Sequence, residues 1–191
     1  MAATPSTMLA LGTPCPEFRL PDPSGKLFGR DDFAAAPALL VMFICNHCPY
    51  VKHIRSALAA FGRDYESRLA MVAISANDAG AYPEDSPARM AEESRSAGYV
   101  FPYLFDETQA VAKAFRAACT PEFYLFDNSR ELVYRGQFDA SRPGSGKAVT
   151  GADLRAAVDA VLAGKATCAD QRPSIGCNIK WKPKNAPDYF G

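Results

Sequence analysis

Residues 38–44, ALLVMFI, form a continuous apolar run with no polar alternation. That is the pattern of a strand covered on both faces. After Pro49 the apolar positions Val51, Ile54, Leu58 and Phe61 recur at helical spacing, with Gly62 near the predicted end. LAMVAIS (69–75) predicts a second buried strand, and Asn77 to Asp85 a polar loop. Ser86-Pro87 reads as an N-cap with proline at the first helical position, opening a helix to about Ala97. FPYLF (101–105) predicts a short extended segment, and Asp106 the cap of a helix carrying Val111, Phe115 and Ala118. EFYLF (122–126) and ELVYRGQF (131–138) predict two strands joined by the turn residues Asp127-Asn128-Ser129. Thr150 and Asp153 fit a capping box for a last helix with Leu154, Val158, Val161 and Leu162 on its apolar face, ended by Gly164.

The resulting order is βαβαβαββα, preceded by a hairpin pairing Phe18–Leu20 with Leu27–Gly29. Alternating strands and helices imply an α/β protein whose central sheet has a parallel portion and helices on its faces. The terminal hairpin makes that sheet mixed. Residues 1–165 read as a single domain and 166–191 as an irregular C-terminal tail. Trp181 and Tyr189 give the tail apolar surface to pack on the body or on a second copy in a homodimer.

The 191 residues leave room for a substantial core. A net charge of zero gives no reason to expect nucleic acid or an anionic membrane as partner. No apolar run approaches the ~20 residues of a membrane span. The start, MAATPSTMLALGTPCPEF, lacks a basic segment followed by a long apolar stretch, so the expectation is a cytoplasmic protein. In a reducing compartment, the six cysteines (Cys15, Cys45, Cys48, Cys119, Cys168 and Cys177) are not expected to form a disulfide scaffold. A close pair among them is redox-active or metal-binding.

That pair is C45-N-H-C48. Cys45 stands where a strand gives way to a helix, so the helix N-terminus is expected to stabilise its thiolate and lower its pKa. Cys45, nearer the helix end, is the expected exposed nucleophile, and Cys48, one turn on, the more buried resolving thiol. His47, between them, adds a group that can be cationic near neutral pH and so makes the pair more oxidising. Cys45, Cys48, His47 and His53 also offer zinc or copper ligands, which keeps a metal-binding module as an alternative. His53 lies off the apolar stripe and reads as a solvated helix residue.

A strand, then C45-N-H-C48-P, then a helix, and later Thr120-Pro121 just before EFYLF, together resemble the thioredoxin superfamily. GTPCPEFRLPDPSGK (12–26), FPYLFDETQAVAKAF (101–115) and LVYRGQFD (132–139) are similar to segments of its redoxin, or peroxiredoxin-like (AhpC/TSA-type), branch. The resemblance covers about residues 10–165 and implies a thioredoxin-like fold. It also implies a cis-proline at Pro121, facing the motif, with Thr120 and Pro121 presenting backbone to an extended substrate. The peroxiredoxin pattern P-x-x-x-T-x-x-C is broken, with Ala38 at the proline position and Met42 at the threonine. The arginine expected before the strand at 122 is missing too.

The expected function is therefore thiol–disulfide exchange, with Cys45 as nucleophile and Cys48 resolving. The partners would be a disulfide-bearing protein or small-molecule oxidant and a thiol reductant, with no cofactor or metal. Peroxiredoxin-like reduction of hydroperoxides through Cys45, an antioxidant role, is the rival enzyme reading. Cys119, next to Thr120, and Cys177, in the tail, are candidate additional redox thiols; Cys177 can also pair with Cys168.

Overall fold

The computed structural model describes residues 3–190. In chain order these form β1 (Ala3–Pro5), β2 (Arg19–Pro21), β3 (Leu27–Gly29), β4 (Leu39–Phe43), α1 (Pro49–Tyr65), β5 (Ala70–Ser75), α2 (Pro87–Ala97), β6 (Tyr103–Phe105), α3 (Ala110–Ala114), β7 (Cys119–Thr120), β8 (Glu122–Phe126), β9 (Leu132–Gly136), α4 (Ala152–Leu162) and β10 (Ile175–Asn178).

The central sheet has the order β6-β5-β4-β8-β9. Strands β4, β5 and β6 run parallel; β8 is antiparallel to β4, and β9 is antiparallel to β8. The apolar run at its centre alternates between two cores. Leu40 and Met42 face one, with Phe123 and Leu125 of β8 and the apolar stripes of α1 and α4. Leu39, Val41 and Phe43 face the other, with Tyr124, Phe126 and Phe115. Burial on both faces is why this run shows no polar alternation. Each such side chain contributes about 1.5–3 kcal/mol. The predicted hairpin is present, pairing Arg19–Pro21 with Leu27–Gly29.

Several expectations need correction. Helix α1 runs through Gly62 to Tyr65. Gly62 is a close-approach position: a Cβ there would lie 3.1 Å from the Phe101 ring. Asp106 does not cap α3 directly, because Gln109 is its N-cap; its Oδ2 accepts the Ala112 N–H at 2.8 Å. The capping box at α4 is replaced by a long-range cap. Gly151, at φ +68°, is the N-cap, and Asp139 Oδ2 accepts the Thr150 and Gly151 N–H groups at 2.7 Å each.

The tail is also not irregular throughout. Strand β10 is the middle strand of a second sheet, β1-β10-β7, antiparallel to both neighbours. Its register sets Cys177 opposite Ala3 on one side and opposite Thr120 on the other. Trp181 packs against the second core, and the Tyr189 hydroxyl donates to the Ala117 carbonyl at 3.2 Å. The tail thus lies on the body of its own chain.

Candidate active site

The end of β4 and the start of α1 are separated by Ile44 to Cys48. Pro49 has no N–H and occupies the first helical turn, so the preceding residue is the cap. Cys48, at φ −65° and ψ 123°, is that N-cap. The helix start expected to activate Cys45 therefore belongs to Cys48. The expected exposure of Cys45 is also corrected: both sulfurs are buried, at 1% exposure for Cys45 and 0% for Cys48, because Thr120 and the neighbouring core pack over the turn.

Thr120 meets both. The Cys45 Sγ and Thr120 Oγ1 are 3.3 Å apart, and the Cys48 thiol donates to the Thr120 carbonyl at 3.2 Å. The Thr120–Pro121 peptide is cis. The backbone expected to receive a substrate strand is already paired, because β10 lies along Cys119 and Thr120. Cys177, 2% exposed, shares one packed cluster with Cys45 and Cys48.

These contacts divide the charge unevenly. The Cys45 thiol holds the Cys48 thiolate down to a pKa of about 5 against the cost of burial, helped by Cys177, Thr120 and the Val51 N–H. The interaction with Cys48 and then burial push Cys45 well above the ordinary thiol value. Burial and the same neighbour push Cys177 up to about 12. The coupled thiols therefore release a first proton more readily than an ordinary cysteine and hold the others more tightly.

The loop before α2 supplies a residue that pattern reading missed. Asp85 is fully buried. Its Oδ1 accepts the Asn46 N–H at 2.8 Å and the His47 N–H at 3.3 Å. Its Oδ2 is 2.6 Å from His47 Nδ1 and accepts from Asn77 Nδ2 at 2.7 Å. Burial alone would raise this carboxyl; the hydrogen bonds from His47, Asn77 and Asn46 outweigh it and hold it below the usual carboxylate value. The Asp85 hydrogen bond in turn raises His47, whose ring stacks on Tyr82 at 5.3 Å. His47 is thus one half of an ion pair, and the Asp85 charge acts on Cys45 to raise it.

Replacing Asp85 by asparagine is expected to move the NMR titration midpoint of His47 downward. His47, raised in the fold, contributes stability that is complete below its unfolded value of about 6.5 and is lost as pH rises through its folded pKa. Asp85, depressed, contributes above about 3.9 and loses it as pH falls through its folded pKa. The Asp85→Asn penalty should therefore peak between about pH 4 and 6.5. An unmoved His47 midpoint would contradict the pairing.

The remaining candidates fall into place by contact. The Cys119 thiol lies 3.9 Å from the Pro121 carbonyl and from Glu122 Oε2, and burial keeps it well above the ordinary value. Cys168 is exposed, and His53 Nε2 meets Ser141 Oγ at 3.1 Å. Cys45, His47 and Asp85 offer a sulfur, a ring nitrogen and a carboxylate oxygen within 4.8 Å of one another. Both Asp85 oxygens, however, already accept two hydrogen bonds each. That arrangement braces the turn and leaves the carboxylate little free coordination capacity.

Comparison with known proteins adds relatives to this geometry. A family model described as the AhpC/TSA family matches residues 11–135. No curated protein matches the chain. Among solved structures, a hypothetical protein from Sinorhizobium meliloti 1021 is 58% identical with a TM-score of 0.93, covering 94% of this chain and 98% of its own. An uncharacterized conserved protein from Geobacillus kaustophilus is 50% identical with a TM-score of 0.94, covering 96% and 98%. A thiol:disulfide interchange protein of the thioredoxin family from Chlorobium tepidum TLS is 19% identical with a TM-score of 0.62, covering 80% and 98%. This last likeness shows a shared thioredoxin-like fold.

Proposed function

The chain belongs to the AhpC/TSA family, and we propose that it acts there as a thiol–disulfide oxidoreductase using Cys45 and Cys48. The supporting observation is the convergence of both sulfurs on Thr120 beside the cis-proline, at 3.3 and 3.2 Å. Two thiols three residues apart in the turn before α1, coupled so that one ionises more readily than an ordinary cysteine, form a dithiol poised for exchange.

In the proposed cycle the Cys48 thiolate takes the proton of Cys45. The Cys45 sulfur then attacks one sulfur of the substrate disulfide. That S–S bond breaks, and the departing thiolate takes the proton from Cys48. The Cys48 thiolate next attacks Cys45 Sγ, forming the Cys45–Cys48 disulfide and releasing the second substrate thiolate. A thiol reductant restores the dithiol. In this scheme Cys45 is the entry nucleophile, and the low pKa of Cys48 makes it both proton acceptor and resolving thiolate.

Cys48→Ser is the test. Incubated with a disulfide-bearing peptide, this variant is expected to accumulate a stable mixed disulfide on Cys45, readable by intact mass, where the unmodified protein turns over. No adduct on Cys45 would remove the assignment.

One observation favours a second reading. The Thr120 hydroxyl lies against the Cys45 sulfur although Met42 occupies the usual threonine position. This supplies a hydroxyl of the kind a peroxide-reducing site needs. Cys48, burial and then the Asp85 carboxylate all disfavour the Cys45 thiolate, however. Stopped-flow mixing of the reduced protein with hydrogen peroxide is therefore expected to show slow oxidation. A fast second-order reaction would move the assignment to a thiol peroxidase.

A further inference from the structure

In the sheet beside the site, β10 runs antiparallel to β7 and covers the strand edge leading into Pro121. This is where the chain would otherwise present free backbone to an extended partner. The seat is tight: a Cβ on Gly176 would lie 2.0 Å from the Thr120 carbonyl oxygen. Residues on either side of the strand anchor it further. The Ile179 N–H donates to the Ala118 carbonyl at 3.1 Å, the Lys180 N–H to Asn77 Oδ1 at 2.8 Å, and the Ser6 N–H to the Ser174 carbonyl at 2.9 Å. The register brings Cys177 opposite Thr120, the residue whose side chain meets Cys45 and whose carbonyl meets Cys48. Cys177 therefore joins a cluster with both, while Cys168 stays exposed.

We propose that β10 is an internal substrate strand and that Cys177 is the third thiol of the redox centre, accepting the disulfide from the Cys45–Cys48 pair. The proposal rests on the exchange chemistry above and extends it by one step. Cys177 loses its proton and its sulfur attacks Cys48 Sγ. The Cys45–Cys48 bond breaks and the Cys48–Cys177 bond forms. Cys45 leaves as a thiolate and takes up one proton. One disulfide is exchanged for another, so no external oxidant or reductant enters. Cys45 is thereby returned to its thiol form while the oxidising equivalent is held at Cys48 and Cys177. The shared packing of Cys48 and Cys177, with Cys177 in register opposite Thr120, supports the contact this step needs.

Disulfide mapping tests this on the full chain. In a Cys168→Ser background, trypsin leaves Cys45 and Cys48 on peptide 31–52 and Cys177 on peptide 166–180. The reduced protein is exposed to excess diamide, a two-electron thiol oxidant, quenched in acid, alkylated and digested. A covalent pair of these two peptides is expected. In Cys45→Ser/Cys168→Ser it should become the dominant oxidised species, and Cys177→Ser should abolish it. If the first protein yields only the Cys45–Cys48 disulfide, and the second keeps Cys48 and Cys177 as alkylated thiols, the third-thiol assignment is overturned while the pair stands. If no disulfide forms in either, the exchange reading fails and this one falls with it.

Discussion

A chain carrying Cys45→Ser is expected to lose disulfide turnover about a thousandfold or more while remaining folded, because a hydroxyl cannot form the mixed disulfide on which every later step depends. The substitution is close to isosteric, and the serine oxygen can still meet Thr120 Oγ1, now 3.3 Å from the sulfur. Its stability cost should stay near 1 kcal/mol. A second readout separates chemistry from folding. Cys48 owes its low pKa of about 5 first to the Cys45 thiol. In the reduced protein, ultraviolet thiolate absorbance should rise as pH passes about 5, and the midpoint should move upward in Cys45→Ser. The sign has a stability counterpart. A depressed thiol pKa stabilises the reduced fold fully above the unfolded value of about 8.5. That contribution is lost as pH falls through about 5. Undiminished turnover in Cys45→Ser would end the exchange assignment.

Gly176→Ala should be the most damaging small substitution in the tail. Its Cβ would lie 2.0 Å from the Thr120 carbonyl oxygen and 2.6 Å from the Thr120 carbonyl carbon. Both are backbone atoms, held by Cys119 and the cis-proline on one side and by β10 on the other, so no side-chain rotation relieves the overlap. Strand β10 must lift from β7. Overpacking of this kind costs about 3 kcal/mol, which for a chain of this size lowers Tm by about 6–12 °C. The lifted strand also uncovers Cys48 and Cys45, so their reaction with a thiol reagent should accelerate markedly under native conditions. An unchanged melt with unchanged thiol reactivity would show that β10 does not cover the site.

The elements that carry the site were legible because their signals are local. The run 38–44 is apolar throughout because β4 is buried on both faces, and C-x-x-C followed by proline marks a strand-to-helix passage. The assignment of the helix end to Cys45 overlooked a signal that was present. Proline at N1 makes the preceding residue the cap, which places Cys48 there. Asp85 was hidden for a different reason. It lies in a polar loop with no periodicity, and its importance comes from Asn46, His47 and Asn77, which only the folded chain brings around it. Strand β10, Ile-Gly-Cys-Asn, has neither β-branched richness nor alternation. It is a strand because β1 and β7 flank it, a long-range cause that outweighs weak local propensity. The same holds for α4, where Asp139 displaces the expected Thr150 cap.

The second sheet joins Ala3–Pro5, Cys119–Thr120 and Ile175–Asn178, segments far apart along the chain. During synthesis, the central five-stranded sheet has all its strands once Gly136 has emerged. The pairing of β7 with β10 waits until residue 178 is available. Contacts of such sequence separation form late. A chain cut before Ile175 is therefore expected to lack the strand that pairs with β7 and to react faster at Cys45 and Cys48 with a thiol reagent.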